Sequence, residues 1–214
     1  MKPSNQELFL QAHDCYNHQD YSHALALYQK ISHKSPATWY NMGNCAYKNG
    51  NDLEALLYWK RASKLGGTKI IHASTTNSKK ILQKLSIADQ RPHSLLTSSP
   101  VVFQILFFCI FSVFLVSNRW LWRTKKFLLL ALLSIGVIAT GTVSYFSYAY
   151  AITTYGIIMS EDGALYAGPN NGYHQLGPIA KGNVVVVLAD KKEWKKIRWN
   201  GQVGWIQNDK IEVI

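Results

Sequence analysis

Acidic side chains are scarce in this chain: 12 Asp and Glu stand against 23 Lys and Arg in 214 residues. No pair of carboxylates stands out, so there is no candidate for two-carboxylate acid–base work. Cysteine is limited to Cys15, Cys45 and Cys109, which excludes a disulfide framework, although Cys15 and Cys45 could pair. A P-loop is absent, because Leu65–Lys69 (LGGTK) lacks the glycine that should start it. So is the G-x-S-x-G nucleophile elbow. His13, His18 and His23 are spaced five apart, which rotates them around a helix and does not stack them as i, i+4 metal ligands. These absences predict a protein with no catalytic residues, no metal and no cofactor. The opening residues, MKPSNQELFLQAHD, hold no apolar core of the kind a cleavable signal peptide needs.

What the chain does have is two long apolar runs without a charged residue. VVFQILFFCIFSVFLVS occupies residues 101–117, and a second run begins at Phe127 with FLLLALLSIGVIATGTVSYFS. Crossing a bilayer core takes ~17–25 residues of helix. We therefore expect transmembrane helices over 101–117 and 127–149, joined by a cationic loop over 118–126. A hairpin returns the chain to its starting side, so the flanking domains would share one compartment. The loop carries Arg119, Arg123, Lys125 and Lys126 and no acid. Short Lys/Arg-rich loops stay cytoplasmic, which places both soluble domains outside. Lys79, Lys80, Lys84 and Arg91 before the first run weigh in the other direction. Within the second run Gly136, Thr140 and Ser144 form a small-residue stripe, expected to pack on the first helix, or else on another membrane protein.

The net charge of +11 is spread out. No polybasic run or basic helix face with interleaved aromatics is present, so nucleic acid is not expected as a partner; anionic lipid nearby accounts for the balance as well.

Before the hairpin, an offset of 31 residues superimposes LFLQAHDCYNHQDYSHALALYQKI (Leu8–Ile31) on WYNMGNCAYKNGNDLEALLYWKRA (Trp39–Ala62). Each stretch reads as helix, polar turn and helix led by alanine. This resembles the tetratricopeptide repeat, here over 5–35 and 36–69, followed by a capping helix reaching residue 88 with Ile70, Ile81 and Leu85 on one face. Pro36 is read as ending the second helix. A Pro/Ser linker is expected over 89–100. The resemblance implies a peptide groove lined by each first helix, which places Phe9, His13, Tyr16, Tyr40, Asn44 and Lys48 there. Tyr16 and Tyr40 could equally pack between repeats.

After the hairpin, YGIIM, ALYAG, NVVVVLAD, EWKKIRW, QVGWIQ and KIEVI are short β-rich runs between turn residues. Asn200-Gly201 is a type I′ hairpin signal. The stretches LYAGPNNGYHQLGPIAKGNVVVVL and EWKKIRWNGQVGWI resemble the bacterial SH3-like domain, with Trp194, Gly201, Gly204 and Trp205 carrying the likeness. An all-β SH3-like barrel is thus expected over 155–214. Trp194 and Trp205 are assigned to the core of so small a barrel. Tyr166, Tyr173 and Trp199 are assigned to an exposed binding surface.

Repeats, hairpin and barrel in this order resemble the BatE-like proteins of bacterial aerotolerance operons. That resemblance implies work beside von Willebrand factor A-type proteins and a MoxR-type ATPase, in envelope complex assembly or stress tolerance. The expected function is a membrane-anchored scaffold that binds protein partners. A cell-wall sensor or tether that binds peptidoglycan is the alternative, and a regulatory subunit of a membrane enzyme stays open.

Overall fold

The computed structural model describes residues 3–86 and 100–214. The helical region and the C-terminal sheet form one compact unit, and the apolar helix pair forms another. The expected linker, except for Pro100, and the last residues of the expected capping helix lie outside the described residues.

Five helices build the first region: α1 (Asn5–Asn17), α2 (Tyr21–Lys30), α3 (Pro36–Lys48), α4 (Asp52–Leu65) and α5 (Thr68–Lys84). Their starts follow from local chemistry. Ser4 Oγ accepts from Glu7 N–H while the Glu7 carboxylate accepts from Ser4 N–H, a reciprocal capping box. Asp20 caps α2 and Ser35 caps α3, with Pro36 in the first helical turn. Pro36 therefore opens α3 and does not end α2, because its fixed φ and missing N–H suit a helix start.

The internal offset of 31 survives in the backbone. The turn bonds His18 N–H to Asp14 O, Gln19 N–H to Tyr16 O and Asp20 N–H to Cys15 O recur at Asn49, Gly50 and Asn51, on Cys45, Tyr47 and Ala46. Both turns need a left-handed residue, supplied by Gln19 (φ 64°) and by Gly50 (φ 80°). At the same offset, Ala12 and Tyr28 of the first copy stand where the second has Gly43 and Trp59. A Cβ on Gly43 would lie 2.5 Å from the Trp59 ring. Ala12, Ala24, Cys45, Ala46, Ala55 and Ala62 are all fully buried, so small residues bring the helix axes together while Tyr28, Met42 and Trp59 fill the remaining space. On α5 the covered face is Ser74, Ser78, Ile81 and Leu82. Leu85, expected on that face, is 37% exposed in the turn beyond the helix.

The second unit is the helix pair α6 (Pro100–Arg123) and α7 (Phe127–Ile152). Two helices here are long and apolar enough to cross a membrane, Val101–Arg123 and Phe127–Ala149. The expected cationic loop is mostly helix: α6 runs on through Trp120, Leu121 and Trp122, and only Thr124–Lys126 make the turn. Leu121 is 1% exposed, and this apolar anchoring extends the helix beyond the charge of Arg119. Ser and Thr hydroxyls inside the pair donate to carbonyls one turn back, as Ser112 does to Phe108 O and Thr140 to Gly136 O. No hydroxyl of that kind needs water.

The third element group is a seven-stranded antiparallel sheet: β1 (Thr154–Ile158), β2 (Ala164–Tyr166), β3 (Gln175–Pro178), β4 (Val184–Lys191), β5 (Trp194–Trp199), β6 (Gln202–Gln207) and β7 (Ile211–Val213), in the order β3-β2-β6-β5-β4-β1-β7. A 3-10 turn over Asn208–Lys210 leads into β7. β3 was not expected as a strand. Its sequence QLGP carries both a glycine and a proline, which only a short edge strand tolerates. Asn200 (φ 48°) and Gly201 (φ 78°) close the β5–β6 hairpin with both central residues left-handed, as a type I′ turn requires. The core is Ile158, Leu165, Ile179, Val185, Ile197, Ile206 and Ile211.

Candidate functional site

Two concave regions collect polar side chains. The first lies in the helical region. Tyr16 on α1, Asn44, Tyr47 and Lys48 on α3, Trp59 on α4, and Asn77 and Lys80 on α5 enclose a cavity of about 170 Å³. Trp59 Nε1–H donates to Asn44 Oδ1 at 3.1 Å, which fixes the amide's orientation and leaves its NH₂ for another acceptor. Tyr47 leans on Trp59 with ring centroids 5.7 Å apart. Tyr16 meets Tyr21 edge-on at 5.2 Å, and the Lys48 ammonium lies 6.0 Å from the Tyr21 ring. Burial pushes the Tyr16 hydroxyl above its ordinary pKa, so it stays a neutral donor. Among the described residues, two ammonium groups and no carboxylate line this cavity. Its field favours an anionic group.

The structure brings together three of the six expected groove residues: Tyr16, Asn44 and Lys48. Phe9 instead packs edge-on against Tyr28 at 5.5 Å, so it belongs to the packing of the first hairpin. His13 is exposed and does not line the cavity, and half-buried Tyr40 does not line it either. Asn77, Lys80, Tyr47 and Trp59 were missed. A signal for Lys80 existed: it follows Lys48 by 32 residues, the same stagger by which α5 (start 68) follows α3 (start 36). α5 was read only as a cap, and that hid its contribution to the groove.

The second region is on the sheet. A cleft of about 780 Å³ is bounded by Pro169, Asn170 and Asn171 in the β2–β3 loop, by Lys191, Lys192, Glu193 and Trp194 around the β4–β5 turn, and by Gln207, Asn208 and Asp209 before β7. Its walls are held by direct bonds. Asn170 Oδ1 accepts from Gly172 N–H at 2.9 Å, shaping the loop tip. Gln207 Nε2 donates to Asn171 Oδ1 at 3.0 Å, and Asn208 N–H donates to Glu193 O at 2.8 Å. Lys192 turns the corner with φ 50°.

The expected surface residues fall elsewhere. Tyr166 is half-buried, meeting Trp194 edge-on at 5.4 Å. Tyr173 is 54% exposed, but its ring covers Gly168, where a Cβ would come within 2.7 Å of it. Trp199 is a correction: it packs against the apolar core, and its buried Nε1 has no hydrogen-bond partner among the described residues. Trp194, assigned to the core, is 8% exposed and also forms a wall of the cleft. Trp205 is half-buried, with the Lys196 ammonium 5.9 Å from its ring. Alternation along β5 decides these placements, since one position of offset moves a tryptophan to the other face.

Asp162 is held down to a pKa of about 2, first by the Ser160 hydroxyl and then by Lys210. A depressed carboxylate contributes stability above its unfolded value, near 3.8, and loses it as pH falls through about 2. Among the described residues no cluster of three or more His, Cys, Asp or Glu side chains is placed to hold a metal ion. Cys15 is half-buried, Cys45 buried and Cys109 exposed, and all three are free in the structure.

In the membrane-type helix pair, Ser144 is 8% exposed and Thr140 is half-buried. Gly136 has no atom within 4 Å of its would-be Cβ, so it does not make the expected close approach. Gly141 does, at 3.1 Å from the Phe107 ring. Five residues separate the two, about 140° around the helix, so they lie on different faces of α7.

Comparison with known proteins bears on the C-terminal part. Residues 161–212 match the family described as bacterial SH3 domain. Among solved structures, the C-terminal SH3 domain of myosin IB from Entamoeba histolytica aligns at 22% identity, covering 29% of this chain and 92% of that chain, with a TM-score of 0.21. No curated protein matches the chain. The match spans β2 through the start of β7 and so contains the whole rim of the cleft. Residues 161–212 are accordingly a bacterial SH3 domain, a module that suggests binding of protein or peptidoglycan.

Proposed function

We propose that the protein is a membrane-anchored, non-enzymatic adaptor that gathers protein partners on one side of a bacterial inner membrane. The helical region acts as tetratricopeptide repeats, and its ligand is an extended, acidic peptide segment. The observation that carries this reading is the cavity where Asn44, Lys48, Asn77 and Lys80 converge from α3 and α5 around the Trp59 ring. Ammonium groups and amides at one spot attract a carboxylate, and an aromatic wall receives the apolar part of a neighbouring residue. The charge of the turn after α6 supports an extracytoplasmic position for both soluble regions. The likeness to BatE-like proteins supports partners such as von Willebrand factor A-type proteins and a MoxR-type ATPase system, in envelope assembly or stress tolerance.

The test uses the full chain in detergent and a set of acidic and neutral peptides. We expect acidic peptides to bind with an affinity that falls as salt rises. Replacing both Lys48 and Lys80 by Glu should weaken that binding at least tenfold. Equal binding by the double variant sinks the groove reading.

The SH3 cleft favours a second reading, a peptidoglycan sensor or tether. Its cleft is wide, polar and lined on one side by an aromatic ring, features that suit a glycan or a branched peptide. Sacculi should then retain the full chain, and Asn171→Ala with Lys192→Glu should release it. Retention that survives both substitutions counts against the cleft.

A further inference from the structure

Arg61 on α4 has no part in the groove, yet it makes three hydrogen bonds to the end of the C-terminal sheet. Its Nε donates to Val213 O at 3.1 Å, and its Nη2 donates to Val213 O at 2.6 Å and to Glu212 Oε2 at 3.0 Å. One turn on, Lys64 Nζ donates to the Ile214 oxygen at 2.9 Å. The Arg61 guanidinium lies 5.1 Å from the Trp39 ring, which stacks on Tyr58 at 5.8 Å. Arg61 is thus pre-ordered by an aromatic platform before it meets the sheet. Its targets belong to β7, an outermost strand of the sheet, which pairs on its inner side with β1. The unpaired side of an edge strand is a template for another strand unless something covers it. Here a forked donor takes the Val213 carbonyl.

We propose that Arg61 and Lys64 form an intramolecular clasp that holds the SH3 domain against the helical region and closes the β7 edge to strand addition. The clasp joins residues 61 and 213, with the apolar helix pair between them in the chain. It can form only if both soluble regions lie on the same side of whatever membrane that pair crosses. It also ties the two candidate sites together, because Trp59 in the groove and Arg61 in the clasp sit on one turn of α4. The SH3 domain is therefore presented at a set angle to the groove and does not swing on a tether.

The experiment measures the distance distribution between spin labels in the full chain in lipid nanodiscs. Labels go on Lys30→Cys and Arg198→Cys, both exposed, with Cys15, Cys45 and Cys109 replaced by Ala. The clasp predicts one narrow distribution. Arg61→Glu with Lys64→Glu should broaden it several-fold, and so should Glu212→Lys, which touches only the SH3 side. Arg61→Lys, which keeps the charge and loses the fork, should broaden it partway. Circular dichroism and a retained SH3 melting transition show that each variant is folded. A broad distribution in the unaltered chain, or a narrow one that survives both charge reversals, overturns the clasp. Peptide and sacculus binding are read separately, so failure here leaves the adaptor reading standing.

Discussion

The chain contains two kinds of helical hairpin, and they are built inside out from one another. In α3–α4 the apolar and small residues face inward: Met42, Cys45, Ala46, Ala55 and Trp59 are at most 2% exposed. In α6–α7 the large apolar residues face outward, with Val116 82% and Leu128 77% exposed. What faces inward there includes Ser144 and Ser147. The first hairpin needs water outside it, since burial of each large apolar side chain contributes ~1.5–3 kcal/mol. The second gains nothing from hiding leucine when its surroundings are hydrocarbon, so close packing and local hydroxyl bonds take over. Both nevertheless use a glycine to let a ring in: Gly43 under Trp59, and Gly141 beside Phe107.

That contrast can be broken at several points. The largest effect should be chemical. Burial pushes the Cys45 thiol up to about 12, and it is 0% exposed. Maleimide should label it on the order of a thousandfold more slowly than partly exposed Cys15. Unfolding should equalise the two, and equal rates in the folded protein would contradict the packed hairpin. Next comes Gly43→Ala. A Cβ 2.5 Å from the Trp59 ring must displace an indole that is also hydrogen-bonded to Asn44. We expect destabilisation of ~1–3 kcal/mol in the urea unfolding of the helical region, together with weaker acidic-peptide binding. Gly141→Ala should cost less, below ~1 kcal/mol, because hydrophobic collapse does not drive that pair. Its Cβ would lie 3.1 Å from the ring of Phe107, and the SDS concentration that separates the helices measures the change. Smallest of all is Gly136→Ala, with nothing within 4 Å of the new methyl. It should fall within ~0.5 kcal/mol of the parent. A large loss there would mean that Gly136 meets another protein in the membrane.

Much of the architecture was legible. The 31-residue offset, the turn at Asn49-Gly50-Asn51 and the Asn200-Gly201 hairpin depend on near neighbours, which the sequence displays directly. β3 escaped because its residues have poor strand propensity and are held by pairing with β2 alone, on one edge. The site was less legible. Asn44 and Lys48 were found because repeat geometry puts them on a first helix. Asn77 and Lys80 were not, since the sequence after α5 repeats no second alanine-led stretch to complete the pattern. Among the tryptophans, Trp194 and Trp199 are five residues apart on one strand, and periodicity alone does not say which one borders a cleft.

The amino-acid sequence by itself determined the local decisions: where helices begin, where glycine must stand, which segments are apolar enough for a membrane. Those depend on groups within a few residues of each other, whose chemistry is constant wherever the chain goes. Tertiary structure alone decided the rest. It brought Lys80 to the same cavity as Asn44, set Trp194 at the cleft and Trp199 against the core, chose Gly141 over Gly136, and brought Arg61 to the carbonyl of Val213. Each of these is a meeting of residues on different elements, and only the packing of those elements selects the partner.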